Sequence, residues 1–197
     1  LQARVDLADA QQDSQAALSA LYLLFQQQID VETLNAYIGR FPDFDDEEVQ
    51  DEALEWAAMH GDVLKASKLY LELKQPESAA RIIVNRSDEI KGSDRDEYLA
   101  LADSFQHTSP LAWSLIIRRL IETSLRLQNG YEYRESAMML LGLAEADRFI
   151  GDYEGHPTHS FFSEYLKSEY RSNSTFWMYV IDPEGKPRSG RKRKRRR

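Results

Sequence analysis

"WAAMHGDVLKASKLYLEL", residues 56 to 73, decides the fold. Ahead of its glycine, Val49, Ala53, Trp56 and Ala57 recur at steps of three and four; behind it, Val63, Ala66, Tyr70 and Leu73 do the same. That spacing gathers apolar side chains on one face of an α-helix, twice in succession. Gly61-Asp62 between them reads as a helix-ending glycine followed by an N-cap aspartate. Two amphipathic helices are therefore joined by a very short break.

The same pattern extends in both directions. Val31, Leu34, Ile38 and Phe41 form one stripe, Ala79, Ile82 and Ile83 another, and Tyr98, Leu101, Ala102 and Phe105 a third. Pro76 suits a first helical turn, Gly92-Ser93-Asp94 ends one helix and caps another, and Ser109-Pro110 starts the next. Helices are expected to begin near 31, 63, 95 and 134, each with a partner near 47, 77, 110 and 158. The pairs then repeat every 32, 32 and 39 residues. This is close to the roughly 34-residue period of tetratricopeptide hairpins, and the quoted stretch, with Ala57, Ala58, Ala66 and Tyr70, resembles a degenerate unit of that kind. The expected class is all-α: a tetratricopeptide-like α-solenoid of helical hairpins, or an irregular helical bundle. "PLAWSLIIRRLIETSL" (110 to 125) is apolar almost all round its first turns and is expected at the centre of the core.

The chain has 197 residues, no cysteine and a formal net charge of -8. Lacking thiols, it can hold no disulfide or thiolate zinc site, in keeping with a cytoplasmic location. No apolar run approaches the roughly 20 residues that span a bilayer. The organisation expected is one helical domain over 1 to 178 and a disordered basic tail over 179 to 197. The leading Leu1 points to the C-terminal part of a longer protein.

"SPLAWSLIIRRLI" (109 to 121), "YRESAMMLLGLAEAD" (133 to 147), then His159, Phe162, Leu166 and the pair Phe176-Trp177 together carry a resemblance. Residues from about 64 to 177 resemble an uncharacterised bacterial domain-of-unknown-function family of all-helical proteins. The resemblance implies a helical fold and no catalytic residues. Ser172, Asn173 and Ser174 stand where that family usually has a basic residue before its terminal Phe-Trp, so no role carries over to that position. "YRESAMMLLGLAEA" is also loosely similar to helical regions that accompany SWIM zinc fingers, although the finger's cysteines are absent.

No Gly-x-Ser-x-Gly elbow, Ser-x-x-Lys or phosphate-cradling glycine loop occurs, so no catalytic residues can be named and no cofactor is expected. "DFDDEEVQDE" (43 to 52) holds seven carboxylates but lacks the glycine and final glutamate of a calcium loop. It reads as acidic residues favoured at a helix start. His156 and His159, near Asp152, Glu154 and Glu164, are the weak metal candidates. Pro157 between them breaks the helical His-Glu-x-x-His arrangement. His60 and His107 read as helix-end residues. Arg118 stands out because it falls within the most apolar helix. It is expected as a structural clamp, paired with Asp103 or Glu145, or else as a groove arginine facing an acidic ligand.

Lys186, Arg188, Arg191, Lys192, Arg193, Lys194, Arg195, Arg196 and Arg197 give the last twelve residues a charge of +9 and leave -17 on residues 1 to 185. Such a run meets nucleic acid through counterion release, meets the chain's own acidic body or an acidic partner, serves as a nuclear address in a eukaryote, or merely aids solubility with no particular role. The function expected is a helical-repeat scaffold that binds a protein partner, its basic arm adding an electrostatic contact. The alternative is a nucleic-acid-binding protein anchored by that tail, and a metal-dependent enzyme is the third reading.

Overall fold

The computed structural model describes residues 1–42 and 46–184. The described residues form eleven α-helices and no strand, an all-α fold. Their chain contacts group into two compact units, Leu1–Ile116 and Ile117 onward.

In the first unit α1 (Gln2–Ala10), α2 (Ser14–Gln28), α3 (Val31–Ile38), α4 (Asp46–His60), α5 (Val63–Glu72), α6 (Pro76–Asn85) and α7 (Arg95–Phe105) follow one another, and α8 (Pro110–Arg126) begins. Pairs close in sequence pack together: α1 with α2, α2 with α3, α4 with α5, and α5 with α6. Of the stripes read from the sequence, Leu34, Ala57, Ala66, Ala79, Ile83 and Phe105 are all but sealed from solvent, whereas Val31, Ile38, Phe41, Val49, Trp56 and Leu73 are only partly buried. Alanine at 57, 66 and 79 lets helix backbones approach, and Phe25 of α2 is fully buried, its ring 6.3 Å edge-on from Trp56 of α4.

Three helix starts in this unit are fixed by side-chain caps. Asp13 accepts from the Ala16 amide at 2.9 Å, Asp30 from Thr33 at 2.8 Å, and Asp62 from Leu64 and Lys65 at 3.1 and 3.2 Å. Each satisfies amides that the helix itself leaves without partners. Asp94, by contrast, makes no such bond; two 3-10 turns, Ser87–Glu89 and Gly92–Asp94, lead into α7 instead. Gly61 is required for space and not for a left-handed turn: a β-carbon there would lie 2.6 Å from the Ala57 carbonyl oxygen and 2.8 Å from Ile29 Cδ1.

Asp62 also ties α5 to Lys91, 2.9 Å away. Burial pushes its carboxyl pKa upward, but the bonds from Lys91 and from the Lys65 and Leu64 amides outweigh burial and hold it below 3.8. A depressed folded pKa stabilises the fold above the ordinary carboxylate value and ceases to do so as pH falls through the folded one. Asn caps a helix about as well as Asp, so Asp62→Asn isolates the charge. The urea midpoint of the wild type is expected to exceed that of Asp62→Asn at pH 7, the gap closing below about pH 4. A gap that does not narrow as pH falls below about 4 would contradict this account of Asp62.

The second unit holds the rest of α8, then α9 (Tyr133–Ala146), α10 (His159–Glu169) and α11 (Ser174–Ile181). The helix expected from 134 is α9, and its main partner is α11. Phe176 of α11 is fully buried, its ring 6.2 Å from Tyr133 and 4.9 Å from Trp177. Two polar bonds hold this end of the chain: Asn173 Nδ2 donates to the Leu125 carbonyl at 3.4 Å and Trp177 Nε1 to the Tyr170 carbonyl at 3.0 Å. Helix α11 continues to Ile181, past the limit read at 178, and ends before Pro183, whose ring disfavours helix in the preceding residue.

Candidate functional site

The described surface of the first unit carries a cleft of about 590 Å³ where the C-terminal end of α4 meets α5 and α6. Its apolar lining comes from Ala58, Met59, Tyr70 and Ile82, and its polar lining includes Glu77 as well as Ser78, Arg81 and Asn85. The last three follow from helical geometry: positions 78, 81, 82 and 85 lie three or four apart, hence on one side of α6. Met59 is 62% exposed, an unusual position for a large apolar side chain, and it lies on the cleft rather than in the core.

Arg86 builds the wall. Its Nη1 donates to the Ala58 carbonyl at 2.8 Å and its Nη2 to the Gly61 carbonyl at 2.7 Å, capping the end of α4 where the helix leaves its carbonyls unpaired. Glu89 holds the guanidinium from the other side at 2.6 and 2.9 Å. Hydrogen bonding to Glu89 raises the Arg86 pKa and lowers that of Glu89. Tyr70 donates its hydroxyl to the Leu54 carbonyl at 3.0 Å, and burial raises its pKa. Arg86 and Tyr70 are thereby committed to the scaffold. Ser78, Arg81 and Asn85 make no side-chain hydrogen bond or ion pair with another described residue, so they face the cleft with donors and acceptors available.

Arg118 is in the second unit and 5% exposed. In place of the expected carboxylate, a main-chain oxygen and two aromatic faces meet its guanidinium. Nη1 donates to the Pro157 carbonyl at 2.5 Å, and Cζ sits 5.3 Å from the Tyr153 ring centre and 5.1 Å from that of Phe162. The Tyr153 hydroxyl in turn donates to Asp147. Burial lowers the Arg118 pKa, partly offset by the neighbouring Tyr153 hydroxyl and by the carboxylates of Asp147 and Glu122. Sequence reasoning missed Pro157 and Tyr153 because a carbonyl contact carries no residue signature.

His159 opens α10, its Nε2 3.2 Å from Ser163 Oγ, while its buried Nδ1 has no partner. Burial lowers its pKa; Asp147 opposes that and Arg118 reinforces it. The amide of His156 donates to the Tyr153 carbonyl at 2.8 Å, closing the turn before α10. Among the described residues no three His, Asp or Glu side chains are grouped to hold a metal. Asp46, Glu47 and Glu48 occupy the first turn of α4; Asp43 and Asp45 lie outside the described residues. So do all nine basic side chains from Lys186 to Arg197.

These features define the class as an all-helical protein with a polar-rimmed apolar cleft, in which no described helix is long and apolar enough to cross a membrane. The chain belongs to the Family of unknown function (DUF6880), whose model matches residues 1–179. The match reaches beyond the stretch from 64 to 177 that carried the resemblance, taking in α1 to α4 as well. No curated protein and no solved structure matches the chain.

Proposed function

We propose that this protein is a helical interaction module, built on tetratricopeptide-like hairpins, that receives a peptide segment of a partner protein in the α4–α6 cleft. The segment presents an apolar anchor flanked by carboxylates. The observation that carries this reading is the cleft itself: about 590 Å³ with an apolar lining and the uncommitted side chains of Ser78, Arg81 and Asn85, beside which Glu77 is the one carboxylate that lines it. A few hundred cubic ångströms is the usual size of a recognition pocket, and a few convergent polar groups confer its specificity. Arg81 supplies a free cation on a body whose first 185 residues carry a charge of -17. It attracts a carboxylate that the rest of the surface repels. In this reading the protein works in the cytoplasm, and the tail from Lys186 adds a salt-sensitive contact to the same partner or to nucleic acid.

Selection from a random displayed peptide library against the full chain tests it. Sequences with a large apolar residue beside Asp or Glu are expected to be enriched. Arg81→Glu is expected to weaken their binding at least about tenfold, a difference of roughly 1.4 kcal/mol. Enriched peptides that bind Arg81→Glu as well as the wild type would refute the cleft as the receptor. If binding of nucleic acid at about 0.1 M salt is the only interaction found, and is lost on removing residues 186 to 197, the tail-anchored alternative replaces it.

A further inference from the structure

Arg118 is 5% exposed, yet among the described residues two of its three guanidinium nitrogens, Nε and Nη2, have no hydrogen-bond partner. Nearly all buried donors in folded proteins are paired, and those of a cation most stringently. The pattern of occupation is informative. Nη1, on the far side of the fork, is held by the Pro157 carbonyl at 2.5 Å. The unoccupied Nε–H and Nη2–H are the two parallel donors along one edge, the arrangement that grips both oxygens of a carboxylate at once.

Among the described residues no carboxylate forms an ion pair with the guanidinium, although Asp147 and Glu122 are near. Asp147 already accepts the hydroxyl proton of Tyr153. Glu122 is paired with Arg119 at 3.2 Å. Helix α10 begins at His159, directly after the Pro157 carbonyl that holds Arg118, so the positive end of an eleven-residue helix lies beside the cation. Thr158 caps the Phe161 amide at 3.4 Å. The buried Nδ1 of His159 is a further polar atom without a partner. A guanidinium and a helix N-terminus brought together repel unless an anion lies between them. Tyr153 and Phe162 place aromatic rings over the guanidinium, which favours a flat group lying in the plane of the fork over a tetrahedral one.

We propose that the Nε–Nη2 edge of Arg118, at the N-terminus of α10, is a binding site for the carboxylate of a ligand. The site rests on second-unit residues alone and stands or falls independently of the α4–α6 cleft. Tyr153 and Pro157 both come from the connection between α9 and α10, which turns through Glu154 and Gly155 at φ of 49° and 83°. That connection therefore holds two of the groups that position the guanidinium.

The test uses the full chain labelled with nitrogen-15 and follows the Arg118 Nε–H resonance, assigned by its loss in Arg118→Lys. Sodium acetate, inorganic phosphate and sodium chloride are titrated separately at matched ionic strength. A saturable shift with acetate is expected, with phosphate at least about tenfold weaker and chloride without effect. The thermal midpoint is expected to rise with acetate in the wild type and stay flat in Arg118→Lys, which keeps the charge but not the paired donors. A resonance unmoved by acetate means that water satisfies the edge, and overturns the proposal. A response to phosphate alone, or equal shifts with all three salts, overturns the carboxylate assignment. Should Arg118→Lys fail to fold, the resonance is assigned by through-bond correlation in carbon-13, nitrogen-15 labelled wild type, and the wild-type titration decides.

Discussion

Replacing Phe176 with alanine is expected to destabilise the protein by about 4 kcal/mol, within the range of 3 to 5 typical of buried aromatic truncations. The ring is fully buried and packs edge-on against both Tyr133 and Trp177. The eight residues of α11 are too few to be helical without tertiary contacts, so what holds them is the surface they bury against α9. Removing the ring leaves a cavity at that contact and frees the end of the chain. Ile181 on the same helix is 85% exposed, and Ile181→Ala is expected to change stability by no more than about 0.5 kcal/mol. Urea unfolding followed by circular dichroism checks both. Equal effects at 176 and 181 would mean that α11 does not pack as described.

The second large effect is expected at Gly61. The first added carbon would already lie 2.6 Å from a backbone oxygen, which cannot move without disturbing the end of α4. Valine adds two further methyl groups where Ile29 Cδ1 is 2.8 Å away. Gly61→Val is therefore expected to cost about 3 kcal/mol, at the upper end of ordinary overpacking. It also perturbs the carbonyl that accepts from Arg86 Nη2, so the cleft should lose its wall along with its stability. A Gly61→Val protein as stable as the wild type would show that α4, α5 and the residue Ile29 approach less closely than described.

Much of this was legible in the sequence, for a physical reason. Stripes such as Val63, Ala66, Tyr70 and Leu73 follow from helical periodicity, and a helix must bury its stripe somewhere. The caps at Asp30 and Asp62 and the proline at 76 are local effects, so α3, α5 and α6 begin where short-range chemistry places them. Gly61 was legible as a boundary but not in its cause. Its role depends on how closely the Ala57 carbonyl at the end of α4, and Ile29 from a distant part of the chain, approach it. Arg118 announced itself as a cation in an apolar helix. Its partners did not, because the Pro157 carbonyl and the Tyr153 and Phe162 faces meet it only through the tertiary fold. The cleft was the least visible. Ser78, Arg81 and Asn85 look like any solvated helix face, and only the placement of Met59 and Ile82 beside them makes a recessed surface. His60, read as a helix-end residue, does close α4, and it lines the cleft too.

The proposed function depends on a partner's peptide occupying the space between the end of α4 and the polar side of α6. Amide hydrogen exchange on the full chain, with and without an enriched acidic, apolar-anchored peptide, tests this most directly. Slowed exchange confined to residues 58 to 60 and 76 to 86 is the outcome the cleft requires. Protection elsewhere, with these segments unchanged, would contradict it.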